Sequence, residues 1–226
     1  MPKTRTKKRR RRRRTTKMQI VRQIGNAPVS KTQITKLKYV TRKGLDPGIG
    51  GLIYSTFNAG SCYDPDTDAI GHQPTGFDQW MAFYEHFVVL GSKIKVTFSP
   101  TGLQPQDGIA VCGIMLNANP TDPSPSAFDQ VLEYRNTKHK TMGAVPGYSK
   151  GVSVSHRYSA KRFLGRQSVL SDPDLKGDIN ANPTESAYYQ VFVSPVNSGY
   201  NLGVVNALVE IEYIVAFIEP RLLPSS

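Results

Sequence analysis

In residues 88–98 the chain alternates: Val88, Leu90, Ile94, Val96 and Phe98 are apolar, while Lys93, Lys95 and Thr97 are polar. Successive side chains of a strand point to opposite faces, so this run reads as a strand with one buried face. The same period recurs along the chain. Residues 34–42 alternate around Leu37 and Tyr39. Residues 151–163 set Val152, Val154, His156 and Tyr158 against Ser153, Ser155, Arg157 and Ser159. Segments 51–58, 109–116, 137–145, 187–194 and 207–219 supply further strands, and 109–116 is apolar enough for a central position. Helical spacing is confined to 77–85, where Phe77, Trp80, Met81 and Tyr84 fall at i, i+3, i+4 and i+7, and to 126–133. Eight short strands between polar loops rich in Gly, Pro, Asn and Asp predict an all-β fold, a sandwich or jelly roll, rather than βαβ units.

Charge divides the chain in a way the fold does not require. Residues 1–43 hold seventeen Lys and Arg and no acidic residue. The remainder holds twelve basic and seventeen acidic residues, so +17 and −5 make the net +12. Lys3, Arg5, Lys7, Lys8, Arg9, Arg10, Arg11, Arg12, Arg13, Arg14, Lys17 and Arg22 all lie within the first 24 positions. Such a segment has no apolar surface to bury, and like charges repel, so a disordered basic arm is expected over 1–33, linker included, with the folded domain over 34–226. A polycation of this kind binds nucleic acid by releasing condensed counterions, and arginine pairs phosphate oxygens in two places. The same run suits nuclear import, and a solubilising tail is the simpler alternative. No apolar stretch approaches the ~18 residues of a membrane span, and no apolar segment follows the basic start as in a secretory signal. Membrane insertion is not expected.

Several segments in order resemble a known family. The arginine run precedes the β body. WMAFYEHFVVLGSKIKVTF spans 80–98, HRYSAKRFLG spans 156–165, and VEIEYIVAFIE spans 209–219, near the end. Together they resemble the capsid proteins of circoviruses and related CRESS-DNA viruses. The resemblance implies an eight-stranded viral jelly roll whose arm faces the particle interior. It implies a homo-oligomer of about sixty subunits in a small icosahedral shell. It further implies packaging of a circular single-stranded DNA genome, contact with the host nuclear import machinery, a location in the virion and the host nucleus, and possible attachment to a cell-surface receptor or glycan. It implies no cofactor and no enzymatic activity. The rival expectation is a cellular nucleic-acid-binding β protein, chromatin- or ribosome-associated, with a basic tail.

In a jelly roll the strands pair as B-I-D-G and C-H-E-F. The resemblance makes 34–42 strand B, 88–98 strand D, 151–163 strand G and 207–219 strand I. The outer face would then read basic, acidic, basic, basic, from Lys36 and Lys38, Glu210 and Glu212, Lys93 and Lys95, and Arg157 with Lys161. A secondary DNA or subunit patch is expected at Lys93, Lys95, Arg157, Lys161 and Arg162, against the simpler reading of cross-strand ion pairs. Trp80, Tyr84, Tyr148 and Tyr158 are candidate base-stacking residues, though core roles suit them as well. On strand I, Val209, Ile211, Tyr213, Val215 and Phe217 share one face and Leu208, Ile214, Ala216 and Ile218 the other. Apolar residues on both faces call for a second covering partner, a loop or another subunit.

Signs of catalysis are sparse. His72, His86, His139 and His156 form neither His-x-His nor His-Glu-x-x-His, and His156 reads as a core histidine. No phosphate-binding Gly-x-x-x-x-Gly-Lys-Ser/Thr and no Gly-x-Ser-x-Gly occurs. Asp64, Asp66 and Asp68 have the 1-3-5 spacing of a calcium loop, but Ala69 and Thr75 replace its turn glycine and final glutamate, so a solvated loop is expected and no metal. Cys62 and Cys112 are expected to stay reduced, Cys112 buried in a strand and Cys62 in a loop.

Overall fold

The computed structural model describes residues 29–49, 51–68, 71–100, 109–121, 128–145, 148–149, 151–197, 199 and 201–222. The twelve arm cations from Lys3 to Arg22 lie outside the described residues, as does the side chain of Tyr148. Among the described residues no helix is long and apolar enough to cross a membrane.

Two antiparallel sheets form the body. The elements are β1 (Thr32–Leu45), β2 (Ile53–Asn58), α1 (Phe77–Met81), β3 (Tyr84–Pro100), β4 (Ala110–Asn117), α2 (Phe128–Glu133) and β5 (Thr137–Met142). There follow the short β6 (Ala144–Val145) and β7 (Tyr148–Ser149), then β8 (Val152–Ser159), α3 (Ala160–Phe163), β9 (Lys176–Gly177), β10 (Tyr188–Pro195) and β11 (Val205–Pro220). One sheet runs β1-β11-β3-β8, with β9 beside β3; the other runs β2-β10-β4-β5. With the eight long strands lettered B to I, these orders are B-I-D-G and C-H-E-F. The body is a jelly roll.

The core lies between the sheets. Every odd position of β11 from Val205 to Phe217 is buried, and Tyr213 donates its hydroxyl to the Asn58 carbonyl at 2.6 Å. In β1 the alternation places Leu37 and Tyr39 inward, and Lys36, Lys38 and Val40 outward. His156 is buried at 8 % exposure opposite Ile94, and its Nδ1 accepts the Arg157 N–H at 2.9 Å, as expected of a core histidine. Burial, then the nearby Lys138 cation, lowers its pKa.

Three expectations need correction. First, strand D does not keep one phase. Gly91 pairs with Ile214 but Val89 with Val215, so Leu90 is an extra residue, a bulge. Beyond it Ile94, Val96 and Phe98 face the core. Before it Val88 lies on the other side, in a separate cluster with Leu175, Ala216 and Ile218. The second cover that strand I required is therefore in part a loop of the same chain, since Leu164, Val169 and Leu175 come from the segment after β8. Leu208 and Ile214 keep 39 % and 41 % exposure.

Second, strand G stops at Ser159. Ala-Lys-Arg-Phe at 160–163 are fair helix formers, and they close a helical turn with Leu164 N–H donating to the Ala160 carbonyl at 3.1 Å. Similarly, the helix expected over 77–85 ends at Met81, and Tyr84 reaches the same aromatic cluster from β3: Trp80 stacks on Phe217 at 5.7 Å and Tyr84 lies 6.1 Å from it.

Third, the aspartate segment is not a solvated loop. Asp66 is 2 % exposed and bridges to Phe57, while Asn58 N–H donates to the Pro65 carbonyl at 2.8 Å. The Lys43 ammonium sits 2.8 Å from Asp66 and 3.0 Å from Asp68, taking the place a cation would occupy. Among the described residues no group of His, Cys, Asp and Glu could hold a metal. Cys62 is fully buried there, and both cysteines are free. Burial pushes the Cys112 thiol up to about 12 and raises that of Cys62 well above its usual value, so neither is a nucleophile near neutrality.

Candidate nucleic-acid interface

The outer face of the β1-β11-β3-β8 sheet carries the charges that the sequence pattern placed there. Cross-strand register puts Lys38 opposite Glu212, Glu212 opposite Lys93, and Lys93 opposite Arg157. This row reads basic, acidic, basic, basic. The neighbouring row is Val40, Glu210, Lys95 and Ser155. Glu210 accepts from Lys38 at 2.8 Å and lies 3.8 Å from Lys95. The hydrogen bond and charge of Lys38 lower the Glu210 pKa. Among the described residues, Lys93 and Arg157 form no ion pair. A shallow depression runs beside them between Lys36, Gly91 and Ser159.

The five residues of the expected secondary patch therefore divide. Lys93 and Arg157 are adjacent and unpaired, and Lys95 is adjacent but shares Glu210. Lys161 and Arg162 leave the sheet with α3, because the strand ends before them. Of the stacking candidates, Tyr84 and Tyr158 are 1 % and 4 % exposed, and burial raises the Tyr158 pKa. Neither can meet a base. Trp80 has one ring face against Phe217.

No protein-family model matches the sequence, and no curated protein matches it. Among solved structures, one of Macrobrachium rosenbergii nodavirus, a semi-empty virus-like particle, matches with TM-score 0.46 and 11 % identity, covering 99 % of this chain and 97 % of that one. The 60-mer BFDV capsid protein matches with TM-score 0.44 and 12 % identity, over 88 % of this chain and 100 % of that one. Desmodium yellow mottle tymovirus matches with TM-score 0.38 and 15 % identity, over 91 % and 98 %.

A second surface escaped the sequence reading. The strand registers bring Leu45, Pro100, Ala110, Met142, Val152, Pro195 and Val205 to one end of the sandwich; β1 begins at the other. At the loop end Ile49 is 73 %, Ile109 52 %, Val196 55 % and Val204 40 % exposed. Ile49 bridges to Asn201, and Val196 N–H donates to the Ile109 carbonyl at 2.8 Å, so the three connections adjoin. Single exposed apolar residues are ordinary, but four on adjoining loops mark an interaction surface. Only the tertiary arrangement collects them, which is why no local pattern announced it.

Proposed function

We propose that the chain is a viral capsid protein that assembles with copies of itself into a small icosahedral shell and packages circular single-stranded DNA. The observation that carries this reading is a B-I-D-G/C-H-E-F jelly roll whose first strand follows a segment with twelve cations and no acid in 24 residues. The exposed Ile49, Ile109, Val196 and Val204 at one end supply an apolar contact surface for a second copy. The arm neutralises genome phosphates through Lys3, Arg5, Lys7, Lys8, Arg9 to Arg14, Lys17 and Arg22, and serves as the nuclear localisation signal. Lys93 and Arg157, with Lys95 beside them, add a fixed phosphate contact on the sheet. The particle then carries any receptor or glycan contact on its outer loops, and subunits pass through the host nucleus during assembly.

Nuclease protection tests this reading. Full-length protein mixed with circular single-stranded DNA should give sedimenting particles whose DNA survives nuclease. Replacing Arg9 to Arg14 with serine should leave soluble, folded protein and digestible DNA. Free DNA in the presence of intact wild-type particles would overturn the packaging role.

A further inference from the structure

Among the described residues, the region of the seam between β5 and β8 gathers several cations and no acidic partner. These two strands are the edges of their respective sheets, one from each. Three depressions adjoin there: one of about 420 Å³ between β5 and β8, one of about 490 Å³ between the end of β8 and α3, and one of about 450 Å³ just past the seam, against the end of β4 and the turn before β5. Arg135, Lys138, Lys140, Arg157 and Arg162 line them, and no lining residue is acidic. Among the described residues, none of these five cations forms an ion pair. Lys138 and Lys140 pair in register with Ile114 and Cys112, so they lie on the sheet's inward side and point across the seam toward β8. Tyr134, 49 % exposed, and the half-buried Phe163 stand at one end beside Arg135 and Arg162.

Inward lysines on an edge strand also guard against edge-to-edge pairing. That role accounts for Lys138 and Lys140. It does not account for Arg135 and Arg162, on the connections outside these strands, lining the adjoining depressions, or for an exposed tyrosine among them. Cations tracking a backbone with aromatic faces between them are the chemistry of single-stranded nucleic acid recognition. A groove between two strand edges admits a single strand more readily than a rigid duplex.

We infer that the β5–β8 seam is a binding groove for single-stranded nucleic acid, in which Lys138, Lys140 and Arg162 hold phosphates and Tyr134 and Phe163 stack on bases. This rests on the packaging reading and gives it a fixed site distinct from the arm. It also places Arg162, which leaves the sheet face, back in a nucleic-acid role.

Photo-crosslinking of the full-length protein to a bromodeoxyuridine-substituted single-stranded oligothymidylate tests it, with crosslinked peptides mapped by mass spectrometry. Crosslinks are expected at Tyr134 or Phe163 in addition to the arm. In the Lys138→Ser/Lys140→Ser/Arg162→Ser variant they should fall about tenfold while arm crosslinks persist. Crosslinks confined to the arm of the wild-type protein would overturn the groove and leave packaging intact. No crosslinks anywhere would sink packaging itself. The map of the wild-type protein answers the question even if the variant folds poorly. If the variant keeps its seam crosslinks but loses retention on heparin, the groove takes a sulfated glycan and the inference fails.

Discussion

Lys43 shows how one side chain settles a local ambiguity. Asp64, Asp66 and Asp68 read in sequence as a solvated loop, because Pro65 and Gly71 flank them and the calcium-loop pattern is incomplete. The counter-charge comes from β1, and only the fold brings it to 2.8 Å from a carboxylate that is nearly sealed from solvent. Removing one partner of a buried pair strands the other, so Lys43→Met should cost ~3–5 kcal/mol in denaturant unfolding. A loss below about 1 kcal/mol would mean that water, not Lys43, satisfies Asp66. His156 was legible from its place in the alternation, and it gives a pH prediction. Its folded pKa lies below the usual 6.5, chiefly through burial. As pH falls through 6.5 the unfolded chain takes up the proton first, so stability drops until the lower folded value is passed. His156→Gln should flatten that part of the stability–pH curve, measured by thermal unfolding between about pH 7.5 and 5.5. An unchanged slope would place the acid sensitivity elsewhere.

At the scale of elements, period was readable and phase was not. Val88, Val89 and Leu90 are all apolar, so the run 88–98 continues a single alternation on paper. The bulge at Leu90 breaks it and turns Val88 toward Leu175. Strand β11 has an even longer apolar run, Tyr213 to Ile218, but the extra residue lies in its partner, so its own alternation holds and its two faces fall as expected. Leu175→Ala should cost ~2–5 kcal/mol, because it opens a cavity over Val88, Ala216 and Ile218. Faster amide exchange in the segment after β8, with β4 and β10 unaffected, would locate the damage. On the other sheet, Gly113 lies opposite Phe192, and a Cβ there would meet the ring at 2.3 Å and the Lys138 carbonyl at 2.8 Å. Gly113→Ala should therefore destabilise by ~1–3 kcal/mol through overpacking. A neutral result in the same unfolding assay would show that Phe192 can swing aside.

For the whole molecule, the division of charge was plain from the first 43 residues, whereas the strand order was implied by the family resemblance. The apolar loop end and the β5–β8 seam were not, since each gathers residues from separate strands or loops whose local sequence is unexceptional. Replacing Arg9 to Arg14 with serine should lower the salt dependence of single-stranded DNA binding by about 4 in log–log slope, at ~0.7 per phosphate, without altering the melting temperature. A slope unchanged by the substitution would move the main phosphate contacts to the body. On the proposed reading, the apolar end serves association and the basic arm serves packaging, two tasks in separate parts of one chain. Electron microscopy of the purified full-length protein with circular single-stranded DNA addresses both together. Closed particles of one size are the predicted result; monomers or small oligomers at every salt and protein concentration would contradict it.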